Sequence, residues 1–142
     1  MTRDVQTGLE AILKSAPVVP VMVIENAAEA VPLARALVKG GLPVLEITLR
    51  TKAALECIKA IIAEVEGAIV GVGTVLDGKK LRETEHIGCA FAVSPGFTRS
   101  LLDAAEDMII PLLPGSATAA ECMTLMERGY RFQKFFPAEA AG

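Results

Sequence analysis

Short apolar, β-branched runs recur along the chain at residues 18–24, 43–49, 68–74, 90–95, 109–114 and 131–137. Between them, apolar positions recur every three or four residues. Leu55, Ile58, Ile62 and Val65 form one such set, and Val31, Ala34, Leu37 and Val38 another, each the stripe that a helix lays against a core. Asn26-Ala-Ala-Glu29 and Thr118-Ala-Ala-Glu121 have capping-box spacing, in which the first side chain accepts an orphan backbone N–H and the glutamate reaches back. Thr51, Asp77 and Thr98 are further N-cap candidates. Gly40, Gly67, Gly88 and Gly129 fall where these helices should end. A short helix over residues 9–15 is predicted ahead of the first strand.

Alternation of strand-like and helix-like segments predicts right-handed βαβ units and a parallel sheet. The strand starts lie roughly 19–25 residues apart, the repeat of compact βα units. A closed eight-unit barrel needs about 200 residues, and this chain has room for six strands. The rival architecture, a doubly wound sheet, usually places a glycine-rich phosphate turn after its first strand. Here that strand ends at Ile24-Glu25-Asn26, and Gly71-Val-Gly73-Thr-Val-Leu76 has leucine where the third glycine belongs.

Composition narrows the picture. A length of 142 residues suits one domain, residues 1–142, and 52% hydrophobic content against 22% charged residues supplies a core rather than disorder. Aromatic residues are only 4% and tryptophan is absent, which suits parallel strands covered by helices. A net charge of −3 with both signs interspersed argues against nucleic acid as a partner. The longest uncharged stretch, residues 108–120, is broken by Pro111 and Pro114, so no membrane span is expected. The N-terminus lacks the apolar run of a signal peptide. Cys57, Cys89 and Cys122 lack paired spacing and suit a reducing cytoplasm. The single histidine, His86, reads as a surface or helix-end residue and leaves little for a histidine-based metal site.

Charged residues on an inward face are the first chemical signal. Side chains alternate along a strand, so Leu45, Ile47 and Leu49 face the covering helices while Val44, Glu46, Thr48 and Arg50 face the other way. In the sixth run, the same alternation puts Lys134 between Phe132 and Phe136. Two readings are open. An ion pair of Glu46 with Lys134 or Arg50 could simply organise the interior. Alternatively, a lysine among apolar rings loses its proton more readily, and a neutral amine attacks ketones while a carboxylate moves protons. The strand-end residues Thr74, Ser94-Pro95-Gly96 and Pro114-Gly115-Ser116 sit where parallel barrels carry active sites, though glycine and proline suit turns anyway.

Glu46-Ile-Thr-Leu-Arg50-Thr51, Gly71-Val-Gly-Thr74, Ser94-Pro-Gly96, Pro111-Leu-Leu-Pro-Gly115 and Lys134-Phe-Phe-Pro-Ala-Glu139 together resemble, in order, the motifs of the 2-keto-3-deoxy-6-phosphogluconate (KDPG) and 4-hydroxy-2-oxoglutarate (KHG) aldolase family. The resemblance implies an α/β fold, a TIM-type (β/α)8 barrel of which about six βα units are present. It implies a class I lyase of the Entner–Doudoroff type, free of metal and cofactor, acting on a small 2-keto acid in the cytoplasm, usually as a homotrimer. Lys134 matches the Schiff-base lysine and Glu46 the general acid/base. Arg50 and Thr74 match groups that hold the pyruvyl carboxylate, Pro95 lines that pocket and Phe136 packs beside the lysine. The family pattern continues for two further βα units with phosphate-binding loops and a pocket serine. The expectation is therefore an incomplete barrel with exposed strand edges at residues 18–24 and 131–137, prone to self-association. The alternatives are an inactive family member serving only as an assembly or interaction subunit, and a different Schiff-base or phosphate-handling barrel enzyme.

Overall fold

The computed structural model describes residues 3–142. Met1 and Thr2, which begin the segment read above as lacking a signal sequence, lie outside them. Helix α1 (Arg3–Lys14) leads into β1 (Val21–Met22), α2 (Ala27–Lys39), β2 (Val44–Thr48), α3 (Ala54–Glu64) and β3 (Ile69–Gly73). Then follow α4 (Gly78–His86), β4 (Phe91–Val93), α5 (Arg99–Glu106), β5 (Leu112–Leu113), β6 (Gly115–Ser116), α6 (Ala119–Glu127), β7 (Lys134–Phe135) and α7 (Ala138–Ala141). Strands β1 to β5 form a parallel sheet in sequence order. The fifth apolar run ends at Pro114: β5, within it, pairs with β4, and β6, just beyond the proline, pairs with β7, also in parallel. This is the predicted TIM-type β/α progression of parallel strands and helices.

The strands are shorter than the apolar runs because other groups take the backbone donors. Ile109 and Ile110 give their N–H groups to the Glu85 carboxylate of α4, at 2.6 and 3.2 Å, so β5 begins at Leu112. Arg131 N–H donates to Gln6 Oε1 at 3.0 Å, tying the approach to β7 to α1. That bond, with Gln6 and Leu9 both buried, accounts for a first helix longer than residues 9–15.

Apolar residues pack on both faces of the sheet. Outward, Leu45, Ile47, Val70 and Val72 meet Ala30 and Ala34 of α2 and Cys57, Ile58 and Ile61 of α3. Inward, Val44, Phe91 and Val93 form a second cluster with Leu9 of α1, which closes one end of the interior. The α3 stripe is rotated from the predicted one. Ala54, Cys57, Ile58, Ile61 and Val65 are buried, whereas Ile62 is exposed, because the small Ala and Cys side chains let the helix approach the sheet closely.

Thr118 and Glu121 form the predicted capping box. Asn26 caps α2 by accepting from Ala28 N–H without the return bond from Glu29. Thr51 is not an N-cap: its hydroxyl donates to Ile24 C=O at 2.7 Å, and α3 starts after Ala53. Asp77 and Thr98 cap as expected. Gly40 stays helical and Gly41 takes the left-handed turn, with φ of 91°. His86 ends α4 and is exposed. Among the described residues no helix is long and apolar enough to cross a membrane.

Candidate active site

Strand β2 carries the first charged residue inward. Val44, Glu46 and Thr48 share the interior face, and Glu46 is only 4% exposed. Its carboxylate is reached from 88 positions further along the chain. Lys134 Nζ on β7 donates to Glu46 Oε1 at 3.3 Å. The lysine head also lies over the Phe136 ring, 5.2 Å from its centroid, a distance at which the ring face attracts an ammonium. Lys134 keeps about a quarter of its side chain open, at 24%, so the pair sits at the mouth of the interior rather than sealed within it.

Phe132 does not complete the expected two-ring clasp. It packs with Leu9, Val44, Phe91 and Val93 in the inward cluster. Phe132 thus lies on the interior side, as alternation predicts, while the ring beside the lysine head is that of Phe136.

A second polar pair stands at the ends of β2 and β3. Arg50 is exposed just past β2, and its Nε donates to Thr74 Oγ1 at 3.3 Å. Thr74 has φ of 63°, a left-handed conformation that is unusual for a β-branched residue. Such strain, of order 1–3 kcal/mol, persists where surrounding structure fixes it and clusters at functional sites. Pro95 lies at the end of β4. Gly115 of β6 is pressed so close to it that a Cβ there would overlap the Pro95 carbonyl, and Gly115 is the register partner of Lys134. Pro95 therefore reaches the lysine's neighbourhood through Gly115.

Gly73 joins the two polar pairs. It immediately precedes Thr74, and its Cα faces the Glu46 side chain so closely that no Cβ fits between them. The motif Gly71-Val-Gly-Thr74 gave this glycine no task of its own. A signal was nevertheless present, since Gly71 and Gly73 are two apart on one strand and so share a face. Burial pushes the Cys89 thiol up to about 12 and the Tyr130 hydroxyl up to about 12.

An amine beside a carboxylate at an apolar mouth can exchange a proton and present a nucleophile. A guanidinium with a hydroxyl at the neighbouring strand ends suits a substrate carboxylate. The family model for KDPG and KHG aldolases matches residues 9–142. The chain is 50% identical over 142 residues to a 2-dehydro-3-deoxy-phosphogluconate aldolase of Pseudoalteromonas atlantica, covering all of this chain and 66% of the relative. It is 52% identical over 137 residues to the KHG/KDPG aldolase of Escherichia coli K12, covering 96% of this chain and 64% of that one. It also superposes on the crystal structure of a KDPG aldolase from Legionella pneumophila with pyruvate captured as a covalent carbinolamine intermediate. There the TM-score is 0.90 and the identity 43%, over 93% of this chain and 64% of that one. The chain thus spans about two thirds of the length of these relatives.

Proposed function

Because this chain belongs to the KDPG and KHG aldolase family, we propose that it carries the machinery of a class I aldolase that cleaves 2-keto-3-deoxy-6-phosphogluconate to pyruvate and glyceraldehyde 3-phosphate. The observation that carries this reading is the 3.3 Å contact between Lys134 Nζ and the buried Glu46 carboxylate.

In the proposed mechanism, the Arg50 guanidinium and the Thr74 hydroxyl hold the substrate carboxylate at the strand ends. Pro95 and Phe136 wall the pocket. Lys134 passes a proton to Glu46 and adds to the C2 ketone. Glu46 returns the proton to the carbinolamine hydroxyl, which leaves as water, and a cationic imine remains. The imine draws electrons from the C3–C4 bond as Glu46, directly or through water, removes the C4 hydroxyl proton. The aldehyde departs, the enamine takes that proton at C3, and hydrolysis frees pyruvate and the amine. In the reverse direction the same groups join pyruvate to an aldehyde.

The second substrate class, 4-hydroxy-2-oxoglutarate giving pyruvate and glyoxylate, uses the same keto-acid half and differs only in the aldehyde leaving group. The E. coli relative named for both substrates supports including it. We assign the protein to a reducing, cytoplasmic setting, in keeping with three free cysteines, and to a homo-oligomer, a trimer by its family resemblance. The test is pyruvate release from each substrate separately, coupled to lactate dehydrogenase, with Lys134→Met as the control. Release that depends on Lys134 is expected. No release from either substrate by a folded sample overturns the reading.

A further inference from the structure

We propose that Gly73 is a positioning residue: its missing side chain is what seats the Glu46 carboxylate against Lys134. The proposal rests on the aldolase reading for its catalytic meaning. Its geometric part is independent of that reading.

Strand β3 carries two glycines two positions apart, each making room for a different group. A Cβ on Gly71 would run into the Phe91 ring. Phe91 is 1% exposed and belongs to the packed inward cluster, so that space is needed for the core. A Cβ on Gly73 would overlap Glu46 Oε1 and lie 2.9 Å from its Cγ and 3.0 Å from its Cδ. The three nearest atoms all belong to the Glu46 side chain. Gly115 is a third case, where the obstacle is the backbone of Pro95 and Gly96.

This difference sets what each substitution would do. Alanine at Gly71 or Gly115 must move a buried ring or a main chain. At Gly73 the fold can absorb alanine by swinging one carboxylate away. The backbone there raises no objection. Gly73 lies in regular strand opposite Thr48, accepts a hydrogen bond from Leu49 N–H at 2.9 Å, and is not among the glycines of positive φ. The displaced atoms include Oε1, the one that holds Lys134. Glycine at this position therefore serves the geometry of the proton-transferring pair rather than the strand.

The experiment compares the parent with Gly73→Ala, Glu46→Asp and the double variant Gly73→Ala/Glu46→Asp. Two solution readouts are taken with pyruvate as the probe. One is exchange of its methyl protons with deuterated solvent, followed by NMR. The other is borohydride trapping on Lys134, located by peptide mass spectrometry. A crystal structure of Gly73→Ala is the third readout. Misplacing a catalytic group by about 1 Å can cost about a hundredfold. Gly73→Ala should therefore slow exchange by about that factor and slow trapping by a smaller one, since Glu46 takes the lysine's proton before addition. Aspartate is one methylene shorter, so Glu46→Asp should slow exchange in the parent background and partly restore it in the Gly73→Ala background. The crystal structure of Gly73→Ala should show the Glu46 carboxylate out of hydrogen-bond range of Lys134.

Unchanged exchange in Gly73→Ala overturns the proposal, as does a double variant slower than either single. So does a crystal structure of Gly73→Ala that keeps Glu46 Oε1 on Lys134. A parent that neither traps pyruvate nor exchanges its protons refutes the aldolase reading, and the crystal structure of the variant alone then decides the seating of Glu46. Should Gly73→Ala fail to fold, the glycine's role is structural and the proposal falls.

Discussion

Replacing both members of the Glu46–Lys134 pair by methionine separates a structural ion pair from a functional one. At 3.3 Å and an effective dielectric constant of about 20, the attraction is about 5 kcal/mol. Removing water from each ion costs several kcal/mol, so the net worth of such a pair is near zero. The single replacements are unequal. Lys134→Met leaves the carboxylate of a residue only 4% exposed without its partner. For sealed pairs that loss is about 3–5 kcal/mol. Water reaches the lysine side here, with 24% of that side chain open, so a value of about 2–3 kcal/mol is expected. Glu46→Met leaves an ammonium that can turn toward solvent, at about 1–2 kcal/mol. The double replacement, two unbranched apolar chains in place of the pair, should come within about 1 kcal/mol of the parent. Urea unfolding followed by circular dichroism measures all four proteins, and the double-mutant cycle extracts the coupling. If the double variant loses the sum of the singles, the two groups are not coupled. A loss of more than about 3 kcal/mol in the double variant would make the pair a structural element, and the argument that it is kept for chemistry would fail.

Arg50→Ala should weaken pyruvate binding by about 1.5–3 kcal/mol, the worth of a hydrogen bond to a charged group. Saturation of imine trapping measures it, and an unchanged half-saturation point refutes the clamp. The Tyr130 hydroxyl is buried without a hydrogen-bond partner among the described residues, so Tyr130→Phe should raise stability by about 1 kcal/mol in urea unfolding. A loss of stability would reveal a partner for the hydroxyl. Burial raises both Cys89 and Tyr130 to about 12, so in alkali the unfolded chain releases these protons first. Their contribution is complete below about pH 7.5, where the unfolded thiol, of pKa about 8.5, holds its proton, and is lost as pH rises toward 12. Urea midpoints should fall between about pH 8 and about pH 10.5, less steeply in Cys89→Ala, and a flat profile would contradict the assignment.

The order of strands and helices was legible because the parallel sheet is packed on the outside by helices and on the inside by its own side chains. Both demands leave apolar runs in the sequence. Strand ends were not legible, since they depend on distant donors and acceptors such as Glu85 on Ile109 and Ile110 or Gln6 on Arg131. The α3 stripe differs from the periodicity because Ala54 and Cys57 carry little hydrophobic signal yet are buried. In the site, Glu46 stood out as a charge on an apolar strand's inward face, and Lys134 by its setting among phenylalanines. Alternation left Lys134 and Arg50 both open as partners of Glu46, and the fold decides for Lys134, across 88 residues. Alternation placed Phe132 on the interior side correctly, but which ring lies beside the lysine head depends on the fold, and it is Phe136. Gly73 was missed because a glycine's role as empty space is visible only once its neighbour is placed.

The most direct test of the central claim is the site of covalent capture. Incubating the protein with pyruvate and borohydride, then mapping the modified peptide, should place the reduced adduct on Lys134. It should vanish in Lys134→Met and persist in Arg50→Ala at higher pyruvate. An adduct on another lysine, or none in a folded sample, contradicts the assignment of Lys134 as the nucleophile.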